Sequence, residues 1–450
     1  MSIGLTQRNR RMLRNEHGFF SGFLRVVRHF FPNLSKQFNQ MNDPRHSSYI
    51  KYSQSVLVWL TVMKCNGGIK TMRGMTRELN TDEAIRNLSI LSESDQLDEK
   101  PDWQTVNNYL EKLEPNQLEQ VQFSMIRKLI RTKDFADYTL DGRYIVVIDG
   151  TGYAYFPHKH CEHDLVTKKT DPQTGEVRYE YYHKVVEAKV LLGPGMVVSI
   201  GSEFIENEDE NVSKQDCEFN AGYRLLKKIK KTFPRLKIVV VADALYAAVP
   251  FMKAVRDCGW DYIFRIKEGR QQKLMEDFED LLNHVDPCET VRNVYENEEG
   301  RGIYVNGVDR VTDKEQICNI FRYSTKDRVF NWVTNIGLTK QYLSGIIITA
   351  RSRWKIENEG FNTQKCGIYD LEHLCSYNYN AMKNHYLLIQ ISYTLMQLYM
   401  AYDKIVYRLK EGMKHTAFEL HVSFREHALN GSDMEYISAR TALHLCCLLG

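Results

Sequence analysis

The chain has 450 residues, of which 43% are hydrophobic, and it carries a formal net charge of +3 at pH 7. A chain of this length can bury a large core, and we expect two or three folded modules. The near-neutral balance excludes a uniformly basic protein, but residues 1–75 contain 12 Lys or Arg against 2 Asp or Glu. This local excess of positive charge favours contact with phosphate groups.

Several classes of protein are disfavoured by what the sequence lacks. It has no uninterrupted run of about 20 apolar residues, so no membrane span is expected. Arg25 and Arg28 interrupt the apolar stretch near the N-terminus, which argues against a signal peptide. The ten cysteines form no paired framework, which predicts a reducing compartment and a cytoplasmic protein. The sequence also lacks a Walker-type glycine loop and a GxSxG elbow, which argues against nucleotide hydrolysis and acyl transfer.

Residues 1–140 are expected to be helical and basic. Apolar residues recur at helical spacing over 20–34 with basic residues between them, a pattern that favours a bundle helix over a membrane-surface helix. An apolar helix over 55–63, a glycine pair and a basic helix over 69–79 follow. This pattern is compatible with a DNA-binding domain and also with a plain helical bundle. The more polar segment 79–100 is predicted to be a connection.

Two short runs of β-branched residues, 144–148 and 238–241, predict central strands buried on both faces. An acidic residue follows each run, Asp149 after the first and Asp243 after the second. Over 142–267 the predicted order is strand, strand, strand, helix, strand, helix, strand. This is the order of an RNase H-like mixed-sheet α/β core, in which the first and fourth strands are neighbours. Asp149 and Asp243 are therefore predicted to lie side by side at the carboxyl edge of the sheet.

A third acidic residue, Glu357, lies in a segment predicted to be helical. Arg353 and Glu357 are four residues apart and share one helical face. Two strand-end aspartates with one helix-borne glutamate form a set of hard oxygen ligands that suits Mg²⁺ or Mn²⁺. Two such ions about 4 Å apart can stabilise the attacking and leaving oxygens of a phosphoryl displacement.

Each acidic residue also has a structural interpretation. Asp149 before a glycine could form a turn, and Asp243 could cap a helix that begins near Tyr246. Glu357 could be half of an exposed ion pair with Arg353. Glu359, two residues further along, is a rival for the third acidic position.

Residues 270–345 show a different pattern. Apolar alternation over 290–295 and 302–311, and again over 317–323 and 329–336, predicts two β-hairpins. Trp332, in the last of these strands, could stack on an unpaired base, although an aromatic residue in a strand more often belongs to the core.

Four groups of residues carry a resemblance to a known family. They are Ile148-Asp149-Gly150-Thr151, the segment from Asn207 to Leu225, Ala242-Asp243-Ala244-Leu245-Tyr246, and Arg353 to Asn362 followed by Tyr369-Asp370-Leu371-Glu372-His373. The chain resembles the DDE transposases of bacterial insertion sequences, in the group whose RNase H-like core carries a β-rich insertion before the last acidic residue. The resemblance extends from about residue 101 to about residue 398.

The resemblance implies a catalytic, metal-binding triad of Asp149, Asp243 and Glu357. It implies two Mg²⁺ ions, which Mn²⁺ can replace, DNA ends and target DNA as partners, and a homodimer in the synaptic complex. Arg353 and Lys365 are expected to contact the DNA backbone. The chain departs from the family pattern at Ala350 and Gln364, where the family often has Tyr and Lys.

The expected organisation has five parts. They are a helical DNA-binding domain (1–140), the first part of an RNase H-like core (141–269), a β-rich insertion (270–345), the C-terminal helices of the core with the catalytic Glu (346–400) and a C-terminal tail region (401–450). The function expected from these features is metal-dependent cleavage and strand transfer of DNA. The alternatives are a catalytically idle DNA-binding protein derived from a transposase and a structure-specific RNase H-like endonuclease.

One further cluster invites a metal interpretation. His158, His160, Cys161 and His163 lie within six residues of one another. Such tight spacing would strain a four-ligand zinc site supplied by this stretch alone, and no second cluster is evident nearby in the sequence. The sequence therefore disfavours a zinc site here without excluding one.

Overall fold

The computed structural model describes residues 5–133, 135–193, 195–207, 214–267, 271–282, 289–293, 298–308 and 318–439. The α-helices of these residues are α1 (Gln7–Asn15), α2 (Gly18–Phe30), α3 (Leu34–Asn39), α4 (Gln54–Asn66), α5 (Met72–Glu78), α6 (Asp82–Ser92), α7 (Trp103–Lys112), α8 (Pro115–Thr132), α9 (Glu218–Thr232), α10 (Val249–Asp257), α11 (Gln272–Leu282), α12 (Lys340–Arg351), α13 (Asn362–Cys366), α14 (Tyr379–Val406), α15 (Met413–Glu426) and α16 (Gly431–Ser438).

The strands of the described residues are β1 (Thr139–Leu140), β2 (Arg143–Phe156), β3 (Leu165–Thr170), β4 (Val177–Leu191), β5 (Val197–Ile205), β6 (Ile238–Ala242), β7 (Asp261–Ile266), β8 (Glu289–Asn293), β9 (Glu298–Val308), β10 (Cys318–Ser324) and β11 (Val329–Thr334). All belong to one sheet, in the order β3-β4-β2-β6-β7-β11-β10-β9-β8. Strand β1 pairs with β2, and β5 pairs with β4.

The centre of the sheet has the predicted RNase H-like order. Strands β5, β4 and β2 are antiparallel neighbours, and β2, β6 and β7 follow as parallel neighbours. Helices α9 and α10 supply the crossovers that parallel strands require. The first and fourth core strands, β2 and β6, are therefore adjacent, as the sequence predicted.

The two hairpins predicted over 290–336 are present as β8–β9 and β10–β11. They continue the core sheet, because β11 pairs antiparallel with β7 through Asn331↔Ile266 to Thr334↔Ile263. The parts of these hairpin predictions that fall on 294–297 and 309–317 lie outside the described residues.

Alternating side chains of β6 reach opposite faces of the sheet. Val239 and Val241 belong to a cluster with α12, whereas Val240 and Ala242 belong to the larger core formed with the other helices. A strand buried on both faces needs apolar residues at every position, which explains the continuous β-branched run. By the same alternation, Asp149 and Asp243 lie on the α12 side of the sheet.

The long helix α14 joins the helical part of the chain to the sheet. It contacts α2, α4, α7 and α8 on the N-terminal side and β5 on the sheet side. Helices α15 and α16 pack on α2, whose residues Phe20, Phe23 and Phe30 are buried. The amphipathic pattern over 20–34 thus belongs to a packed bundle helix. None of the described helices combines the length and apolarity needed to cross a bilayer.

Three details differ from the sequence predictions. Residues 79–100 contain helix α6, with Thr81 as its N-cap, because Ala84, Leu88 and Leu91 are buried against the bundle. Strand β2 does not end at Asp149, because its pairing with β4 continues to Phe156 after its pairing with β6 has ended at Ile148. Strand β3 was not predicted, since most of its side chains are exposed and give no core pattern.

Candidate active site

Asp149 and Asp243 occupy equivalent positions on neighbouring strands. The last parallel pair of the β2–β6 ladder is Ile148↔Ala242, so each aspartate is the next residue on its strand. Asp149 Oδ1 accepts a hydrogen bond from the Gly150 N–H at 3.0 Å. Asp243 Oδ1 accepts one from the Leu245 N–H at 2.8 Å. Both local bonds fix the carboxylates at the edge of the ladder.

Asp243 is not a helix cap. Helix α10 begins at Val249 with Ala248 as its N-cap residue, five positions after Asp243. The turn between β6 and α10 instead uses one oxygen of Asp243 for the Leu245 N–H. The capping interpretation of Asp243 is therefore wrong.

Glu357 approaches from the segment that follows α12. Residues Ile356–Phe361 form a π-helical turn between α12 and α13, with Ile356 and Phe361 buried in the α12-side core. Such wide turns recur at functional sites because they redirect side chains within a helix. Here the turn leaves the Glu357 side chain 47% exposed, while its buried apolar neighbours anchor the segment.

Arg353 connects two of the three predicted catalytic residues. Its Nη1 lies 2.8 Å from Glu357 Oε1 and 3.4 Å from Asp149 Oδ2. The predicted i,i+4 pair is thus present, and it extends to a carboxylate 204 residues earlier in the chain. One guanidinium nitrogen thus contacts the carboxylates of both Asp149 and Glu357.

Glu359 has a different setting from Glu357. Its Oε2 lies 3.4 Å from Nζ of the buried Lys355, and its backbone carbonyl accepts a hydrogen bond from the Tyr393 hydroxyl. These contacts tie Glu359 to the interior of the helical segment, whereas Glu357 shares Arg353 with Asp149.

A fourth carboxylate, Glu218, lies beside Asp149. It is the first residue of α9, and its Oε1 accepts a hydrogen bond from the buried Tyr246 hydroxyl at 3.2 Å. Lys184 Nζ is 3.5 Å from its Oε2. A Cβ at Gly150 would meet the Glu218 carboxylate, so any larger residue there would displace the Glu218 side chain. Glu218 carries no signal of a site residue in the sequence, because only the tertiary packing of α9 brings it to Asp149.

Burial and neighbouring charge alter the acidity of Asp149. Desolvation is the largest cause, and the charges of Glu218 and Asp243 add to it, while Arg353 opposes the shift. Together they raise the pKa of Asp149 to about 7. A group of carboxylates with too little positive charge around it favours a proton or a metal cation.

The predicted DNA-contacting residues lie in different settings. Lys365, on α13, pairs with Glu372 at 2.7 Å. The neighbouring Gln364, at the family's lysine position, is buried and donates a hydrogen bond to Gln390 at 2.9 Å. Trp332 was predicted to contact DNA but is 3% exposed, and its ring stacks with those of Phe321 and Phe330. The core interpretation of Trp332 is therefore correct, because the indole is buried among other side chains.

Three arginines form a basic strip next to the carboxylates. Arg265 on β7 packs over the rings of Phe330 and Trp332. Burial lowers the pKa of Arg265 to about 10, and the nearby charges of Arg351 and Arg353 add to the effect. Arg265 carries no signal in the sequence, because its proximity to Arg353 depends on the packing of α12 against β7. Clustered arginines beside an acidic site suit a phosphate backbone.

The fold is an RNase H-like α/β core, and comparison with known proteins points to a transposase. Residues 201–395, less than half of the chain, match the family described as "Transposase DDE domain". The matched segment includes Asp243 and Glu357 and begins after Asp149. It supports a transposase of the DDE type.

A solved structure described as the "piggyBac transposase synaptic complex with hairpin DNA" is also similar. The sequence identity is 11%, the alignment covers 97% of this chain and 85% of that one, and the TM-score is 0.42. This level of similarity is too low to assign function. No curated protein matches the chain.

Proposed function

We propose that the chain is a DNA transposase that cleaves the ends of an insertion sequence and joins them to target DNA. The observation that carries the proposal is the placement of Asp149 beside Asp243 at one edge of an RNase H-like sheet, with Arg353 linking Asp149 to Glu357. The matched transposase domain supports it. The finer proposal is that the element is a bacterial insertion sequence and that the protein acts as a homodimer on two DNA ends.

The donor atoms fit divalent ions. The three candidate ligands supply only carboxylate oxygens, which Mg²⁺ and Mn²⁺ prefer. Burial, together with the charges of Glu218 and Asp243, raises the pKa of Asp149, so a bound cation would stabilise its ionised form. We propose that Asp149, Asp243 and Glu357 hold two Mg²⁺ ions, which Mn²⁺ can replace. When bound, such ions polarise a phosphoryl oxygen and lower the pKa of water.

The protein's own residues orient the reaction. The end of the β2–β6 ladder fixes the two aspartates, and the π-helical turn carries Glu357, which Arg353 links to Asp149. Arg353 is positioned to neutralise charge near the scissile phosphate, while Arg265 and Arg351 extend positive charge along the neighbouring surface. Water and then a DNA 3′-hydroxyl would be the successive nucleophiles, so no covalent protein intermediate is required.

The proposal is tested with a DNA fragment that carries this gene and its natural flanks, incubated with purified protein and Mg²⁺. We expect cuts at two flank boundaries and joined products that carry the cut ends. Specific binding without cutting in Mg²⁺ or Mn²⁺ would favour the catalytically idle DNA-binding protein. Cutting at branched structures without joining would favour a structure-specific endonuclease.

The identity of the third acid can be tested with a matched pair of variants. We expect Glu357→Gln to lower the cleavage rate on the order of 10³-fold. Without this metal ligand, the transition state loses several kcal/mol of the stabilisation that a bound ion supplies. Glu359→Gln should stay within about tenfold of the wild type, since its carboxylate pairs with Lys355. Single-turnover cleavage of an end-containing duplex measures both. The reverse ranking would transfer the role to Glu359.

The raised pKa of Asp149 predicts how stability depends on pH without divalent ions. Between about pH 4 and pH 7 the native protein keeps a proton that the unfolded chain has released, so the free energy of unfolding falls as pH rises. Asp149→Asn removes the free-energy cost of ionising this buried carboxyl group. Its gain in the free energy of unfolding over the wild type should therefore be about 2–4 kcal/mol larger at pH 8 than at pH 4.

Urea unfolding at the two pH values, without added divalent ions, measures the effect. Asp257→Asn serves as the control, because Asp257 is exposed at the end of α10. An equal effect of Asp149→Asn at both pH values would contradict the assigned pKa.

A further inference from the structure

A second group of possible metal ligands lies apart from the carboxylate site. His160, Cys161 and Asp164 come from the loop between β2 and β3, and His183 comes from β4. One ligand atom from each of the four residues lies within 4.8 Å of all the others. On the β2–β4 ladder His183 is opposite Ala154, five residues beyond Asp149. At roughly 3.3 Å per residue the two sites are about 16 Å apart along the strand.

The spacing of three of these atoms matches a coordination shell. Cys161 Sγ lies 3.3 Å from Asp164 Oδ1 and 3.7 Å from His183 Nε2, and His183 Nε2 lies 3.2 Å from Asp164 Oδ1. Zinc bonds of about 2.0 Å to nitrogen or oxygen and about 2.3 Å to sulfur place tetrahedral ligand atoms roughly 3.3–3.5 Å apart. A zinc ion can therefore be enclosed by these atoms with small adjustments.

The two oxygens of Asp164 have separate roles. Oδ1 faces Cys161 Sγ and His183 Nε2, whereas Oδ2 accepts hydrogen bonds from the N–H groups of His160 and Cys161 at 2.5 and 3.1 Å. The backbone thus fixes the carboxylate while one oxygen stays directed at the other donors. Such support of a ligand by a second layer of hydrogen bonds is typical of metal sites.

The two imidazoles are held by aromatic rings. His160 stacks on Phe156 with ring centroids 4.3 Å apart, and His183 lies 4.5 Å from the ring of Tyr379. His183 is fully buried and Asp164 is 6% exposed. Among the described residues, the buried Nδ1 of His160 has no hydrogen-bond partner. A buried ring nitrogen without a partner is costly unless a ligand completes its bonding.

We propose that His160, Cys161, Asp164 and His183 bind a structural zinc ion. Two imidazoles and a thiolate favour Zn²⁺ over Mg²⁺, which prefers oxygen ligands. Four protein ligands leave no open position for substrate, which defines a structural role. The sequence disfavours this site because only two of its four ligands, His160 and Cys161, belong to the cluster seen in the sequence. His158 and His163 of that cluster are not ligands, and the other two ligands are Asp164 and the distant His183.

The zinc ion would stabilise the base of a two-stranded β-arm. The arm consists of β3 and the first residues of β4, which pair from Leu165↔Tyr182 to Thr170↔Val177. Most of its side chains are exposed, including Lys168, Lys169 and Arg178. The ligands of the loop adjoin β3, and His183 follows the paired part of β4, so one ion joins both strands of the arm to the core.

Metal analysis of the purified full-length protein tests the proposal. We expect about one zinc per chain in the wild type and in His158→Ala, whose side chain is exposed on the same loop. Cys161→Ser and His183→Ala should lose most of it. Asp243→Ala should retain the zinc, which separates this site from the carboxylate site. Zinc content unchanged by Cys161→Ser, or a wild type that neither contains zinc nor takes it up, would overturn the proposal.

Cobalt substitution of the wild-type protein is a second test, and its result does not depend on how well the variants fold. Co²⁺ bound to the wild type should give a thiolate-to-cobalt absorption band in the near ultraviolet and tetrahedral d–d bands in the visible range. The exposed-cysteine control Cys366→Ser should retain both. A cobalt complex of the wild type without the thiolate band would contradict coordination by Cys161.

Discussion

Asp243→Ala should lower Mg²⁺-dependent cleavage of an end-containing DNA on the order of 10³-fold or more, because removal of a metal ligand forfeits several kcal/mol of charge stabilisation. Asp149→Ala should have an effect of similar size, since the two residues occupy equivalent positions on paired strands. The double variant should be little worse than either single variant, because residues that act as a unit are not additive.

A measurement of DNA binding distinguishes a loss of catalysis from a loss of folding. Both variants should bind the same DNA with an affinity close to that of the wild type, because the basic residues are unchanged. The exposed Asp257→Ala is the matched control and should cleave normally. Cleavage retained by Asp243→Ala in Mg²⁺ would remove Asp243 from the site.

Lys189→Met should destabilise the protein by about 3–5 kcal/mol, because it leaves a buried charge without its partner. Lys189 and Glu187 are both fully buried on β4, with Nζ 3.9 Å from Oε2. Burial raises the pKa of Glu187 and lowers that of Lys189. Glu187 also accepts hydrogen bonds from Ser199, Ser202 and Tyr386, so it cannot move to solvent.

Chemical denaturation measures this effect, and a second substitution provides its control. Glu187→Gln in the Lys189→Met background removes the unpaired charge and should recover a large part of the lost free energy of unfolding. A loss below about 1 kcal/mol for Lys189→Met would contradict a tightly coupled buried pair.

The buried pair also connects the core to the candidate active site. Glu187 is opposite Asp149 on the β2–β4 ladder. Lys189 donates a hydrogen bond to Gln390 at 2.8 Å and packs beside Phe361, the last residue of the π-helical turn. We therefore expect cleavage by Lys189→Met to fall even where most molecules remain folded, since the turn carries Glu357.

The central sheet was predictable because its signals are local. Runs of β-branched residues marked β2 and β6, and the order of elements placed them side by side. The ion pair of Arg353 with Glu357 followed from helical spacing. The contact of Arg353 with Asp149 did not, because it depends on how α12 packs against the sheet.

The remaining site features depend on distant parts of the chain. Glu218 lies beside Asp149 because α9 begins next to Gly150, and Arg265 lies near Arg353 because α12 packs against β7. His183 lies near Cys161 through the pairing of β4 with both β2 and β3, which no local pattern reveals. For Trp332 the sequence left two interpretations, and only the stacked neighbours on β10 and β11 decide between them.

The most direct test of the catalytic assignment is a structure of the protein bound to its DNA end with Mn²⁺, in which anomalous scattering locates the ions. We expect anomalous peaks between the scissile phosphate and the carboxylates of Asp149, Asp243 and Glu357. Ions at this phosphate that are held by other residues, or a scissile phosphate bound away from the edge of β2 and β6, would contradict it.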